Sequence, residues 1–142
     1  MFYIGFVTAS RVDAQGEPYA EGELTAGRHS ERFRADLRVW RKADYESQWK
    51  TGVARLLSGA ESSALVTSLS QSGDETSVEL VPLSRRGGKV SVGERAVIVD
   101  TLQEPIDLSI AYELVAERGA GSGERPQAEV PLGQLATFTI DA

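Results

Sequence analysis

The chain has 142 residues, 41% of them hydrophobic and 25% charged, the balance of a single soluble domain over 1–142 that buries about two-thirds of its unfolded surface. It has no cysteine, which excludes disulfides, thiol catalysis and thiolate metal sites, and no apolar run approaches the roughly 20 residues that cross a bilayer. The formal net charge of −6 opposes general affinity for phosphate backbones.

Phe2 to Ala9 is rich in β-forming residues and ends at the polar, Gly- and Pro-bearing stretch Ser10 to Pro18. No basic residue precedes this apolar start, and it leaves no room for a full signal region. It reads as a first strand rather than an export signal, so the expected location is cytoplasmic. Tyr19 to Thr25 suits a short second strand closed by Gly27. Phe33, Ala35, Leu37 and Val39 then alternate with Arg32, Arg34, Asp36 and Arg38, the period of a strand with one buried face.

After Val39 the period lengthens. Tyr45, Trp49, Val53, Leu56 and Leu57 share one face of an amphipathic helix over about 45–58. Asp44 is placed to cap its free amides, and Gly59 offers a left-handed stop. Gly52 inside it costs roughly 1 kcal/mol relative to alanine. Three strand-like runs follow, Ser63 to Leu69, Thr76 to Leu83 and Lys89 to Asp100, separated by turns at 71–74 and 85–88. Connections this short predict an antiparallel meander, with a bulge or bend at Gly93. Further on, Ile106 to Val115 suits a short strand or a helical turn, and Gly119 to Gly123 a flexible loop. Ala128 to Leu132 suits a strand. Leu132, Leu135, Ala136 and Phe138 suit a closing helix, although Thr137, Thr139 and Ile140 favour extended structure.

Charge is unevenly placed. Six basic residues from Arg28 to Lys42 against Glu31 and Asp36 give that segment a local charge of +4, leaving −10 for the rest of the chain. Residues 94–142 carry nine acids against Arg95, Arg118 and Arg125, a net of −6. The basic segment coincides with the alternating strand, whose arginines belong on its wet face. A single-strand nucleic-acid groove would also interleave aromatics for base stacking, and only Trp40 lies nearby.

Little suggests catalysis. His29 is the single histidine and lies in the polar stretch Gly27 to Ser30 without a companion ligand. No nucleophile elbow, phosphate loop, dinucleotide fingerprint or zinc spacing occurs. No pair of acids stands out as one whose pKa a buried site would raise. The sequence therefore predicts no enzyme, no catalytic residues, no metal and no cofactor. Tyr45 and Trp49 read as core residues that seat the helix on a sheet.

The stretch from Trp40 through Asp44, Tyr45, Gln48, Trp49, Gly52, Arg55 and Leu56, continued by Gly59 and Ser63-Ala64-Leu65-Val66-Thr67-Ser68, resembles the core signature of bacterial immunity proteins of contact-dependent growth inhibition. That signature has a Trp-x-x-x-Asp-Tyr helix start, a second tryptophan and a Ser-Ala-Leu strand at similar spacing. The hairpin with Val90, Val92, Val97 and Val99 is similar to the family's next block, and the resemblance spans roughly 33–103. A family tryptophan near the closing strand has no counterpart in Gln127 to Leu132.

The resemblance implies an α+β fold: an antiparallel sheet of five or more strands with the 45–58 helix on one face. It also implies an immunity protein that binds and neutralises the carboxy-terminal domain of a cognate toxin, often a nuclease, as a monomer in a 1:1 complex with no membrane partner. Glu94, Asp100, Glu104, Asp107, Glu113 and Glu117 are the acids expected to face a basic toxin. A non-catalytic adaptor domain, or a single-stranded nucleic-acid binder using 28–42, are the alternatives.

Overall fold

The computed structural model describes residues 2–73, 75–100, 112 and 128–141. The expected α+β class with antiparallel pairing holds, but the strands divide between two sheets rather than joining one. In the first, β3 (Pro18–Ala26) is central. β4 (His29–Asp36) pairs along one edge of it, from Ala26↔His29 to Tyr19↔Asp36. β1 (Phe2–Phe6) and β2 (Arg11–Val12) share the other edge. Phe33 and Ala35 turn inward from β4 while Arg32 and Arg34 stay exposed, as alternation requires. The strand ends at Asp36, whose carboxylate accepts from the Arg38 amide at 2.8 Å, so Leu37 and Val39 lie in a turn beyond it.

In the second sheet β5 (Ser62–Ser72) pairs with β6 (Glu75–Arg86) along their length. The opposite edge of β6 is shared by β7 (Lys89–Val92) and β8 (Ala96–Asp100), while β9 (Ala128–Pro131) pairs with β7. The break between β7 and β8 has a covalent cause. Pro82 in β6 has no amide to donate there, and its carbonyl instead accepts from the Gly93 amide at 2.9 Å. A Cβ on Gly93 would lie 2.9 Å from the Pro82 ring, so the predicted bend needs glycine at that position.

Helix α1 (Lys42–Leu57) begins slightly before its expected start. Asp44 is not the cap itself. It lies in the first turn and accepts from the Arg41 amide at 2.9 Å, the reciprocal half of a capping box. The helix ends in a Schellman arrangement: Ala60 N–H donates to Arg55 C=O at 3.0 Å and Gly59 N–H to Leu56 C=O at 3.2 Å. Gly59 holds the required left-handed conformation (φ 109°). A second helix, α2 (Leu132–Asp141), packs against α1 and β1.

Side chains of α1 occupy the edge of β5 that faces away from β6. Gln48 behaves like a strand residue: its Nε2 donates to Ala64 C=O at 2.9 Å and its Oε1 accepts from Val66 N–H at 2.7 Å. Trp49 Nε1 donates to Val66 C=O at 2.7 Å, and the Tyr45 hydroxyl accepts from Leu69 N–H at 2.9 Å. In the other direction Ser63 Oγ donates to Gly52 C=O at 2.7 Å. So close a seat leaves no room for a side chain at Gly52, where a Cβ would lie 2.5 Å from Ala64 O.

The same residues tie in the first sheet. The Trp49 ring packs on Phe6 at 5.0 Å between centroids and edge-on to Phe33 at 5.9 Å. The Tyr45 hydroxyl also donates to Asp36 C=O at the end of β4. The core is therefore centred where α1 meets both sheets, and its largest fully buried side chains are Trp49 and Tyr45.

Two outcomes follow for stability. Gln48→Leu leaves Ala64 C=O and Val66 N–H buried without partners, and is expected to cost about 1–3 kcal/mol in urea unfolding. Burial holds the Tyr45 pKa well above the ordinary tyrosine value. A pKa raised on folding contributes stability that is complete below the unfolded value of about 10 and is lost as pH rises through the folded one. Urea titrations from neutral pH upward should show stability falling beyond about pH 10, with a shallower slope in Tyr45→Phe.

Candidate partner-binding surface

Of the six acids expected to face a partner, Glu94 and Asp100 fall within the described residues; Glu104, Asp107, Glu113 and Glu117 lie outside them. Glu94 is exposed in the three-residue connection forced by Pro82 and Gly93. Asp100 is the last residue of β8, in register with Thr76. The two bracket β8, roughly 20 Å apart at the rise of an extended chain, further than a Debye length at physiological salt.

Arg95, beside Glu94, is already engaged. Its Nη1 donates to Glu79 Oε1 at 3.0 Å, and its Nε lies 3.9 Å from Glu31 Oε1. Thr67 Oγ1 also donates to Glu79 at 3.0 Å. This arginine joins β6 to β4 across the gap between the sheets, and it neutralises acids that the chain already contains. His29 Nε2 lies 3.3 Å from Glu31 Oε2, which makes the histidine part of the same rim.

Three arginines of the basic segment are also paired once folded. Arg34 donates to Asp13 at 2.9 Å and lies over the Tyr19 ring at 3.8 Å. Arg38 forks onto Asp36 and comes within 3.6 Å of Glu17, and Arg32 approaches Glu21 at 4.0 Å. The amides of Glu17 and Gln15, with Arg34, hold the Asp13 carboxyl below its usual pKa. The wet face of the first sheet is thus a lattice of cross-strand ion pairs, unlike an open basic groove. The charge count along the chain missed this because three of the acids, Asp13, Glu17 and Glu21, arrive from the β2–β3 turn and from β3.

Sequence reasoning also passed over Gln48 as a structural residue. The available signal was its position: Gln48 and Gly52 stand four apart, directly beside the Tyr45–Trp49 stripe. No group of three or more His, Cys, Asp or Glu side chains is placed to hold a metal ion among the described residues, and no helix there is long and apolar enough to cross a membrane.

A helix locked into one sheet edge and a second sheet clamped on through Trp49 and Tyr45 make an α+β domain. Residues 35–126 match the family described as the CdiI N-terminal domain. The chain belongs to that family, the immunity proteins of contact-dependent growth inhibition. The match takes in the Tyr45–Trp49 helix and runs beyond the 33–103 stretch that carried the resemblance. Among solved structures, a chain of the CdiA-CT/CdiI toxin and immunity complex from Enterobacter cloacae is similar at TM-score 0.79 and 20% identity, over 99% of this chain and 97% of that one. At that identity the likeness is one of fold. The comparison with curated proteins gives no match.

Proposed function

We propose that this chain binds the carboxy-terminal domain of a cognate toxin and neutralises it in the cytoplasm, as a 1:1 complex and by occlusion rather than by catalysis. The observation that carries the reading is membership of the CdiI family across the helix and strands that organise the fold. The overall likeness to a chain of a toxin–immunity complex supports it. The net charge of −6 and the internal pairing of Arg32, Arg34 and Arg38 favour a partner that is itself basic, as a nuclease with a substrate groove for phosphates is. On this account Glu94 and Asp100, together with Glu104, Asp107, Glu113 and Glu117, steer the encounter and line the rim of contact.

The test is protection. Cells induced for the cognate toxin domain should grow when this chain is co-expressed and stop growing when it is absent. Growth arrest in both cases overturns the reading.

Electrostatic steering has its own signature. Reversing Glu94, Asp100, Glu104 and Asp107 together to lysine should slow association with the toxin domain about tenfold or more at low salt, with the difference shrinking as salt rises. Stopped-flow or biolayer kinetics read this directly. Unchanged association rates would remove these acids from the interface.

A further inference from the structure

β8 departs from the rule that the rest of its sheet follows. Val97 and Val99 are 57% and 55% exposed, while Ile98 between them packs against the core. Across the sheet they face Glu79 and Ser77 of β6, which in turn face Ser68 and Ser70 of β5. That outer face is polar until it reaches its last strand. A β-branched shape suits a strand, but threonine supplies it without exposing a second methyl to water.

Among the described residues the edge is also unguarded. β8 pairs on one side with β6, and among the described residues no strand pairs with its other side. Exposed edges are normally protected by lysine, proline, a bulge or an inward-pointing charge. The run Ala96–Val99 contains none of these. An apolar edge left open in this way marks an interaction site.

The chemistry of the occupant follows from the flanks. Glu94 precedes the stripe and Asp100 ends it. The neighbouring cation, Arg95, is held by Glu79 and Glu31. Nucleic acid would meet the exposed Glu94 carboxylate here, beside an arginine that is already paired. A second copy would bring the same carboxylates and the same net charge of −6. A basic protein surface with an apolar centre matches on both counts.

We infer that the toxin domain docks on the outer face and edge of β8, with Val97 and Val99 as the apolar centre of the contact between Glu94 and Asp100. This rests on the toxin-binding reading and adds to it the strand on which binding turns.

The test uses the full-length chain and the cognate toxin domain, by calorimetry. The double variant V97T/V99T keeps side-chain shape and strand preference, and circular dichroism and thermal melts are expected to match the wild type. Its affinity should fall about tenfold or more, while V12T, which alters an exposed valine on β2 of the other sheet, should bind as the wild type does. V97T/V99T binding at wild-type affinity would overturn the β8 inference and leave toxin binding intact. Absence of binding by the wild type would overturn both. Hydrogen exchange gives a second readout: those amides of β8 that point away from β6, every second one in an antiparallel pair, should exchange freely in the isolated monomer and become protected by the toxin domain. Protection already present in the monomer would mean that the chain covers this edge itself, and would also overturn the inference.

Discussion

The fold depends on how α1 closes the outer edge of β5. A strand edge carries backbone donors and acceptors that must be paired once buried. Here side chains do this in place of another strand: Gln48 matches Ala64 and Val66, Trp49 takes the Val66 carbonyl, and Tyr45 takes the Leu69 amide. Each bond contributes modestly on balance, but leaving such groups buried and unpaired is far more costly. Gly52 permits the approach, and the Schellman turn at Gly59 returns the chain in position to begin β5. Because Trp49 and Tyr45 also engage Phe6, Phe33 and Asp36, one helix fixes the second sheet and clamps the first onto it.

A frame held from one side leaves other surfaces available. The first sheet uses its wet face for ion pairs between arginines in and just beyond β4 and acids of β3 and of the β2–β3 turn. Opposite Pro82 the second sheet bends and sends β8 along its own edge, with acids before and after an apolar stripe. The backbone defect that breaks the ladder is thus also what presents Glu94 to solvent. Structure and surface charge are linked at that point through one proline and one glycine.

Much of the fold was legible because the residues involved act locally. The period of the Tyr45–Leu57 face gave α1, alternation gave β4, and the pairs of turn residues gave the hairpins. Gly93 announced its own bend. The division into two sheets was not legible, since alternation says which face of a strand is buried and nothing about which sheet the strand joins. Leu37 and Val39 continued the alternation past Asp36, but a carboxylate that bonds to the amide two residues on turns the chain there. At the carboxy terminus Thr137, Thr139 and Ile140 argued for extended structure, and packing of α2 on α1 and β1 prevails over that local preference. The candidate surface was legible only in part. A charge count found the acidic segment, whereas the exposure of Val97 and Val99 depends on which of two adjacent strand faces meets the core.

The family places this chain among immunity proteins, and the central claim is that it acts by direct, stoichiometric capture of a toxin domain. Light scattering after size-exclusion chromatography of the purified chain mixed with that domain tests this most directly. The account predicts one peak whose mass equals one copy of each, persisting on dilution to nanomolar concentration. Two peaks at the separate masses, with the toxin still active, would contradict it.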